Sequence, residues 1–184
     1  IAWHEDEHRL DDQAVIQSTV AARRVDEEIE SRRLILEAFA AGRGEVESSD
    51  LAAVDGAARR LAQAVNAQIG VLDRGLGLLV DTSQPFGTPL GSTSAVAAGL
   101  WAVETGRARV SGALVGAGPS NATIPPMLLV PMLRDGRTTG VLSITLSPER
   151  LSGAGGPGRR IIFDSRWRVV AGGGSATELP DWTV

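Results

Sequence analysis

The segment His4-Glu5-Asp6-Glu7-His8 spells the zinc-protease motif His-Glu-x-x-His near the start of the chain. On a helix this spacing places two imidazoles on one face, with Glu5 available as a general base. A catalytic zinc also needs a third protein ligand and a sheltered cleft. The segment opens a highly charged stretch with nothing before it to wall a cleft. The sequence therefore favours a solvated helix start, with a metallohydrolase as the alternative, and we predict no metal site and no catalytic residue.

Residue types that are missing exclude much other chemistry. The 184 residues include no cysteine and no tyrosine, and all 18 basic residues are arginine. This composition excludes disulfides, thiolate metal sites, cysteine nucleophiles, lysine Schiff bases and phosphate loops that depend on a lysine. The net charge of −4 argues against a nucleic-acid partner, whose phosphates require a dense basic surface. We predict a protein without a cofactor.

Polar side chains on apolar strands are the better candidates for function. Ser143 and Thr145 alternate with aliphatic residues, so their hydroxyls share one face of a strand. The Pro/Gly-rich loop that follows Asp81 is placed to roof a cavity there, and small ligands favour apolar cavities with a few converging polar groups. The alternatives are a filled core and, for Asp81, a cap of its own loop. The candidate ligand-binding residues are Asp81, Thr82, Phe86, Trp101, Ser111, Arg134, Ser143 and Thr145.

A long helix must precede this site. The residues from His4 to Ala40 contain no glycine or proline, which predicts one continuous helix over Asp6–Ala40. Apolar residues recur every seven positions, a spacing that makes a seam for a partner helix. Packing of the helix across its own sheet is the alternative. We predict that any homodimer uses this seam, with Val25 and Ile29 at its centre.

The rest of the chain alternates short extended runs with helical ones. A helix is predicted from a cap at Ser48, Ser49 or Asp50, another over Ser92–Thr105, and Asp135-Gly136 marks a hairpin turn. The predicted strands are Ile69–Leu72, Leu78–Asp81, Arg109–Val115, Met127–Arg134 and Thr138–Leu146. A small C-terminal hairpin pairs Arg160–Phe163 with Trp167–Ala171. This order predicts an α+β fold: a PAS-like five-stranded antiparallel sheet, a long N-terminal helix and a small C-terminal β-hairpin.

Several motifs in order resemble one known family. They are Val71-Leu72-Asp73-Arg74-Gly75, Gln84-Pro85-Phe86-Gly87-Thr88-Pro89-Leu90, Val130-Pro131-Met132-Leu133-Arg134-Asp135-Gly136 and Ile162-Phe163-Asp164. Together they resemble the extracytoplasmic Cache (PAS-like, PDC) sensor domains of bacterial membrane sensor histidine kinases. The resemblance covers nearly the whole chain. Cache receptors that bind amino acids carry a Tyr/Arg/Trp/Asp constellation, and this tyrosine-free chain does not show it.

The resemblance implies an organisation and a function. Residues 1–46 would form a long signalling helix, 47–151 the sensor domain, and 152–184 a linker with the membrane-proximal hairpin. The domain would be non-enzymatic and periplasmic, in a membrane-anchored two-component kinase. It would bind an unknown small molecule, form a homodimer through the N-terminal helix and relay the signal through that helix. The alternatives are the sensor of a diguanylate cyclase or chemoreceptor, and a ligand-free dimerisation module.

Overall fold

The computed structural model describes the backbone of residues 2–42, 50–112, 114–115, 123–152, 162–163 and 169–171, with side chains for 15–42, 50–112 and 124–151. Its helices are α1 (Ala2–Ala41), α2 (Leu51–Val65), α3 (Val96–Thr105) and α4 (Pro148–Ser152). Its strands are β1 (Ile69–Asp73), β2 (Leu78–Asp81), β3 (Arg109–Val110), β4 (Leu114–Val115), β5 (Thr123–Ile124), β6 (Met127–Arg134), β7 (Arg137–Thr145), β8 (Ile162–Phe163) and β9 (Val169–Ala171).

The N-terminal helix is continuous over 40 residues, as the missing helix breakers predict. It ends where Gly42 donates its amide to the Ala38 carbonyl. Val15, the first residue of α1 whose side chain is described, is 64% exposed, whereas Leu36 in the last turns is fully buried. Val25 and Ile29 pack against the core of the domain itself. This half of the predicted seam is therefore partly covered by the chain itself, and the dimer seam stays a prediction.

Five strands form one antiparallel sheet in the order β2-β1-β7-β6-β3, which confirms the predicted fold class. The β6–β7 hairpin turns at Asp135 and Gly136, whose φ values of 50° and 74° belong to the type I′ turn predicted from this dipeptide. The central strands β1, β7 and β6 are buried along most of their lengths, and β6 and β7 become exposed towards their shared turn. The C-terminal hairpin, β8 with β9, pairs separately.

One strand and one helix in the middle of the chain are much shorter than predicted. The strand predicted over Arg109–Val115 leaves the sheet after Val110, because the Ser111 hydroxyl accepts the Met127 amide and so takes the place of the next backbone acceptor. Leu114–Val115 instead pairs with β5. The helix predicted from Ser92 begins at Val96, because the residues before it pair with the β1–β2 turn, where Thr93 donates to the Leu76 carbonyl.

The sheet separates two apolar layers, because side chains alternate along each strand. One face packs against α1 and α2 through Leu36, Val54, Ala58, Val71, Val80, Leu128, Val130, Leu142 and Ile144, among others. The opposite face packs against α3 through Leu72, Leu76, Ala95, Ala102, Leu129 and Val141. We call this second side the α3 face. Ser143 and Thr145 lie on it, in phase with Val141.

We expect Gly136→Ala to lower the free energy of unfolding by about 1 kcal/mol, the penalty for placing a β-carbon at positive φ. A β-carbon at Gly136 has no heavy atom within 4 Å, so the effect is conformational and not steric. Gly91 is the matched control, because its β-carbon is equally free of contacts and its φ is not positive. Urea unfolding should leave Gly91→Ala at or slightly above the parent stability. Equal losses in both variants would contradict the turn assignment.

Candidate functional site

A cavity of about 480 Å³ lies on the α3 face, within the size range of small-molecule sites. Its floor is formed by the beginnings of β1 and β6 and by the ends of β2 and β7. Residues 92–94 and 124–125 form its sides. The lining residues are Gln68, Ile69, Gly70, Leu78, Asp81, Ser92, Thr93, Ser94, Ile124, Pro125, Met127, Ser143 and Thr145. Three of them, Asp81, Ser143 and Thr145, are residues that the sequence predicts.

The strand register places Asp81, Gly70 and Ser143 in one row across the sheet. Gly70 is the partner of Asp81 on one side and of Ser143 on the other. Adjacent strands are about 4.8 Å apart, so a carboxylate and a hydroxyl face the cavity from positions two strand spacings apart. A β-carbon on Gly70 would lie 2.5 Å from Ser143 Oγ and 3.3 Å from Leu78 Cδ2. Glycine thus keeps the floor of the cavity open between the two polar groups.

The buried hydroxyls of the domain differ in how they are satisfied. Thr93 Oγ1 accepts the Ala95 amide, and Ser111 Oγ accepts the Met127 amide. Ser143 is only 6% exposed, yet its hydroxyl makes no hydrogen bond to any residue that the structure describes. Among the described residues no fully buried side-chain nitrogen or oxygen lacks a hydrogen-bond partner, so the Ser143 oxygen is open to the cavity. Ser143 therefore presents an unpaired hydroxyl to an occupant of the cavity.

Only one of the two carboxylate oxygens of Asp81 accepts hydrogen bonds from the described residues. Its Oδ1 accepts hydrogen bonds from the amide and the hydroxyl of Ser83, at 2.8 Å and 2.7 Å, whereas Oδ2 accepts none from the described part of the chain. The nearby Arg59 is held by Asp55 through two hydrogen bonds. Those bonds raise the pKa of the Arg59 guanidinium, and the charges of Asp55 and then Asp81 raise it further. Arg59 does not line the cavity.

Of three other predicted residues, two support the framework near the cavity and the third, Phe86, does not. Thr82 Oγ1 accepts the Ile69 amide at 2.9 Å and so fastens the end of β2 to the start of β1. Ser111 fixes the end of β3 against β6. Phe86 is 55% exposed on its loop and does not line the cavity, since residues 92–94 occupy the place predicted for that loop.

The remaining two predicted residues lie away from the cavity. The Trp101 ring, on α3, is covered by the Arg109 guanidinium, whose carbon lies 4.9 Å from the ring centroid. Arg134 is exposed at the far end of β6 from Met127, at a distance of about 23 Å along the strand. The structure thus brings together Asp81, Ser143 and Thr145 and separates Trp101 and Arg134 from them. Ligand binding by any of these residues stays a prediction.

The sequence does not predict several of the lining residues. Ser92, Thr93 and Ser94 form a run of three hydroxyls, but they fall where the sequence predicts the start of a helix. An isolated glycine within a strand pattern indicates a close approach of another group, and this signal at Gly70 was available. Pro125 and Ile124 carry no comparable signal, because their place at the rim depends on the separate β4–β5 pairing.

Two other clefts, each of about 430 Å³, lie on the outer surface. One lies between α1 and β6, where Arg33 pairs with Glu37; the other lies beside α2, where Arg59 pairs with Asp55. The side chains of the His4–His8 motif lie outside the described residues. Among the described ones, no three His, Cys, Asp or Glu side chains are placed to hold a metal ion. No helix of the described ranges has the length and apolar character of a bilayer span.

No protein-family model matches the chain, and no curated protein sequence matches it. Solved structures do. The sensory domain of the Campylobacter jejuni chemoreceptor Tlp3 with isoleucine bound has a TM-score of 0.63 at 16% identity, covering 84% of this chain and 66% of that one. The ligand-binding domain of the same receptor in complex with L-valine has a TM-score of 0.61 at 16% identity, covering 84% of this chain and 67% of that one. The sensor domain of the V. cholerae histidine kinase DctB has a TM-score of 0.46 at 11% identity, covering 57% of this chain and 40% of that one.

The chain therefore spans about two thirds of the length of the Tlp3 domains that it matches. The TM-scores of 0.61 and 0.63 establish a shared fold even at 16% identity. At the level of the fold, the resemblance to Cache sensor domains, drawn from the turn and strand motifs, is confirmed.

Proposed function

We propose that this chain is the extracytoplasmic ligand-sensing domain of a membrane-anchored signalling protein. One observation carries the proposal: the cavity on the α3 face contains a nearly buried hydroxyl, Ser143, with no partner among the described residues. The fold that the chain shares with a chemoreceptor ligand-binding domain supports the same function. The lining groups are hydroxyls, one carboxylate and one amide, a set that binds a ligand and contains no activated nucleophile.

The long helix is the element proposed to relay the signal, and two contacts on α1 support this role. Arg32, only 5% exposed, donates from Nη1 to the carbonyl of Val65 at the end of α2, 2.8 Å away. Its Nε donates to Glu28, which also lies 3.8 Å from Arg150 of α4. The chain runs from Val65 into β1, and from β7 into α4. The strands that contain Gly70 and Ser143 are therefore each joined to a helix that contacts α1: β1 follows α2, and β7 precedes α4.

The output is proposed to be a histidine kinase. A chemoreceptor is the second candidate, because the Tlp3 domains share the fold over most of this chain. Full-length protein incubated with ATP separates these outputs, since only a kinase phosphorylates its own histidine. Formation of cyclic dinucleotide from GTP would instead identify a diguanylate cyclase.

A homodimer through α1 remains part of the proposal, with a narrower seam. Val15, Ile16 and Val20 are 64%, 62% and 42% exposed, so these turns are more available to a second copy than those at the partly buried Val25 and Ile29. We expect Val15→Glu to weaken self-association in sedimentation experiments while the melting temperature stays unchanged. A dimer that persists in this variant would place the interface elsewhere.

Native mass spectrometry of the gently purified chain tests the sensing function. We expect a retained small molecule, or a metabolite that raises the melting temperature because it binds only the folded state. Hydrogen exchange should then slow at Ser143 and also along residues 25–41 of α1. Binding that leaves α1 exchange unchanged would contradict the relay. An empty domain that responds to no metabolite would favour the ligand-free dimerisation module.

A further inference from the structure

We propose that the cavity on the α3 face binds a small primary amine that carries a hydroxyl and an aliphatic group but no carboxylate. The inference rests on the proposed sensing function and names the class of ligand for the same cavity. It follows from the charges, the hydrogen-bonding groups and the apolar surface that the lining residues present.

The anionic group of the cavity is positioned for an ammonium. Asp81 Oδ1 is occupied by two donors from Ser83, and this contact fixes the plane of the carboxylate. Oδ2 is left without a donor from the described residues. An ammonium supplies a charged donor to such an oxygen, and hydrogen bonds between ionised groups are about twice as strong as neutral ones.

The hydroxyl of the ligand has a matching group across the floor. Ser143 is on the other side of Gly70 from Asp81 in the strand register, and its unpaired hydroxyl can both donate and accept a hydrogen bond. A short molecule lying over Gly70 can therefore reach Asp81 with its ammonium and Ser143 with its hydroxyl. Thr145, two residues further along β7, lines the same wall.

A carboxylate on the ligand would find no cation to pair with among the described lining residues. That lining contains no arginine or histidine, and the chain contains no lysine. Arg59 is engaged by Asp55 outside the cavity. An anion placed beside Asp81 would lose its hydration and face a like charge, which strongly disfavours binding.

The apolar part of the lining suits a branched aliphatic group. Leu78, Ile124, Pro125 and Met127 contribute to the wall around the polar row. L-Valinol combines an ammonium, a hydroxyl and an isopropyl group, and it differs from L-valine only in having CH₂OH where the amino acid has a carboxylate. This pair of compounds isolates the feature on which the proposal depends.

Calorimetry and thermal shift of the intact chain with L-valinol and L-valine test the proposal. We expect L-valinol to bind at least about tenfold more tightly than L-valine, because a desolvated, unpaired carboxylate costs more than 1.4 kcal/mol. Asp81→Asn should weaken L-valinol binding by at least about tenfold, and Ser143→Ala by about fivefold. Asp135→Asn, at the exposed β6–β7 turn, is the matched control and should bind as the parent does.

Three results would overturn the proposal: equal affinity for L-valine, undiminished binding by Asp81→Asn, or no binding of L-valinol. Native mass spectrometry then tests the sensing function separately from the amine class of the ligand. A retained uncharged compound, whose binding ignores Asp81→Asn, would leave the sensing function standing and remove the amine class. An empty cavity that accepts no small molecule would remove both.

Discussion

Arg32→Ala should lower the free energy of unfolding by about 3 kcal/mol, although an arginine in a long helix would ordinarily be expected to face solvent. Arg32 is 5% exposed and donates to the Val65 carbonyl and to Glu28. The carbonyl belongs to the last turn of α2, where backbone acceptors lack helical partners. Losing a charged hydrogen bond costs about 1.5–3 kcal/mol, and the buried methylenes of the arginine add to this loss.

Urea unfolding and thermal melting measure this effect. For a domain of this size, a loss of 3 kcal/mol corresponds to a fall in melting temperature of roughly 10 °C. Arg33→Ala is the matched control, because the side chain of Arg33 is about one-third exposed and, among the described residues, its ion pairs are with Glu30 and Glu37 of its own helix. Exposed pairs contribute little, so its melting temperature should stay close to that of the parent.

Hydrogen exchange distinguishes the loss of a local contact between α1 and α2 from a general loss of stability. In Arg32→Ala we expect exchange to accelerate first at the end of α2 and in the adjoining turns of α1, with the β6–β7 hairpin still protected. Equal losses in the Arg32 and Arg33 variants would show that the buried bond to Val65 does not fasten α1. A uniform rise in exchange would show that α1 and the sheet open as one unit.

The elements of this fold follow from local sequence signals. The absence of glycine and proline in α1 and the Asp135-Gly136 dipeptide each act on the backbone nearby, so helix and hairpin could be predicted from them. The end of β3 could not, because it depends on the Ser111 hydroxyl capturing an amide of Met127, 16 residues away. Likewise the heptad pattern does not reveal which partner covers it; Leu36 packs on the sheet while Val15 stays exposed.

The candidate site was predictable in part for the same reason. Alternation along β7 places Ser143 and Thr145 on one face, and that inference needs only the strand period. Trp101 and Arg134 are candidates on their chemistry alone, because the sequence does not give the strand register that would place them. The register decides the matter: it sets Asp81 and Ser143 on either side of Gly70 and leaves Arg134 at the opposite end of the sheet.

Gly140→Ala should be the most damaging alanine substitution at a sheet glycine, with a loss of about 3 kcal/mol or failure to fold. Gly140 lies in β7, paired with Asp73 of β1 and Met132 of β6. An added β-carbon would lie 2.6 Å from the carbonyl oxygen of Leu72. A backbone atom in a central strand cannot move without breaking the β1–β7 ladder, so the clash opens the sheet. Soluble yield and urea unfolding measure the effect.

Gly70→Ala provides the matched comparison on the same pair of strands. Its added β-carbon also meets an atom at 2.5 Å, but that atom is the Ser143 hydroxyl, which can rotate to another staggered position. We therefore expect Gly70→Ala to fold with a stability loss below about 1 kcal/mol, since reduced freedom of the unfolded chain offsets part of the strain. The same methyl group fills the floor between Asp81 and Ser143, so any ligand that spans them should be lost. A Gly70→Ala domain that binds as the parent does would move the ligand off this row, whereas a Gly140→Ala domain of parental stability would contradict the β1–β7 register itself.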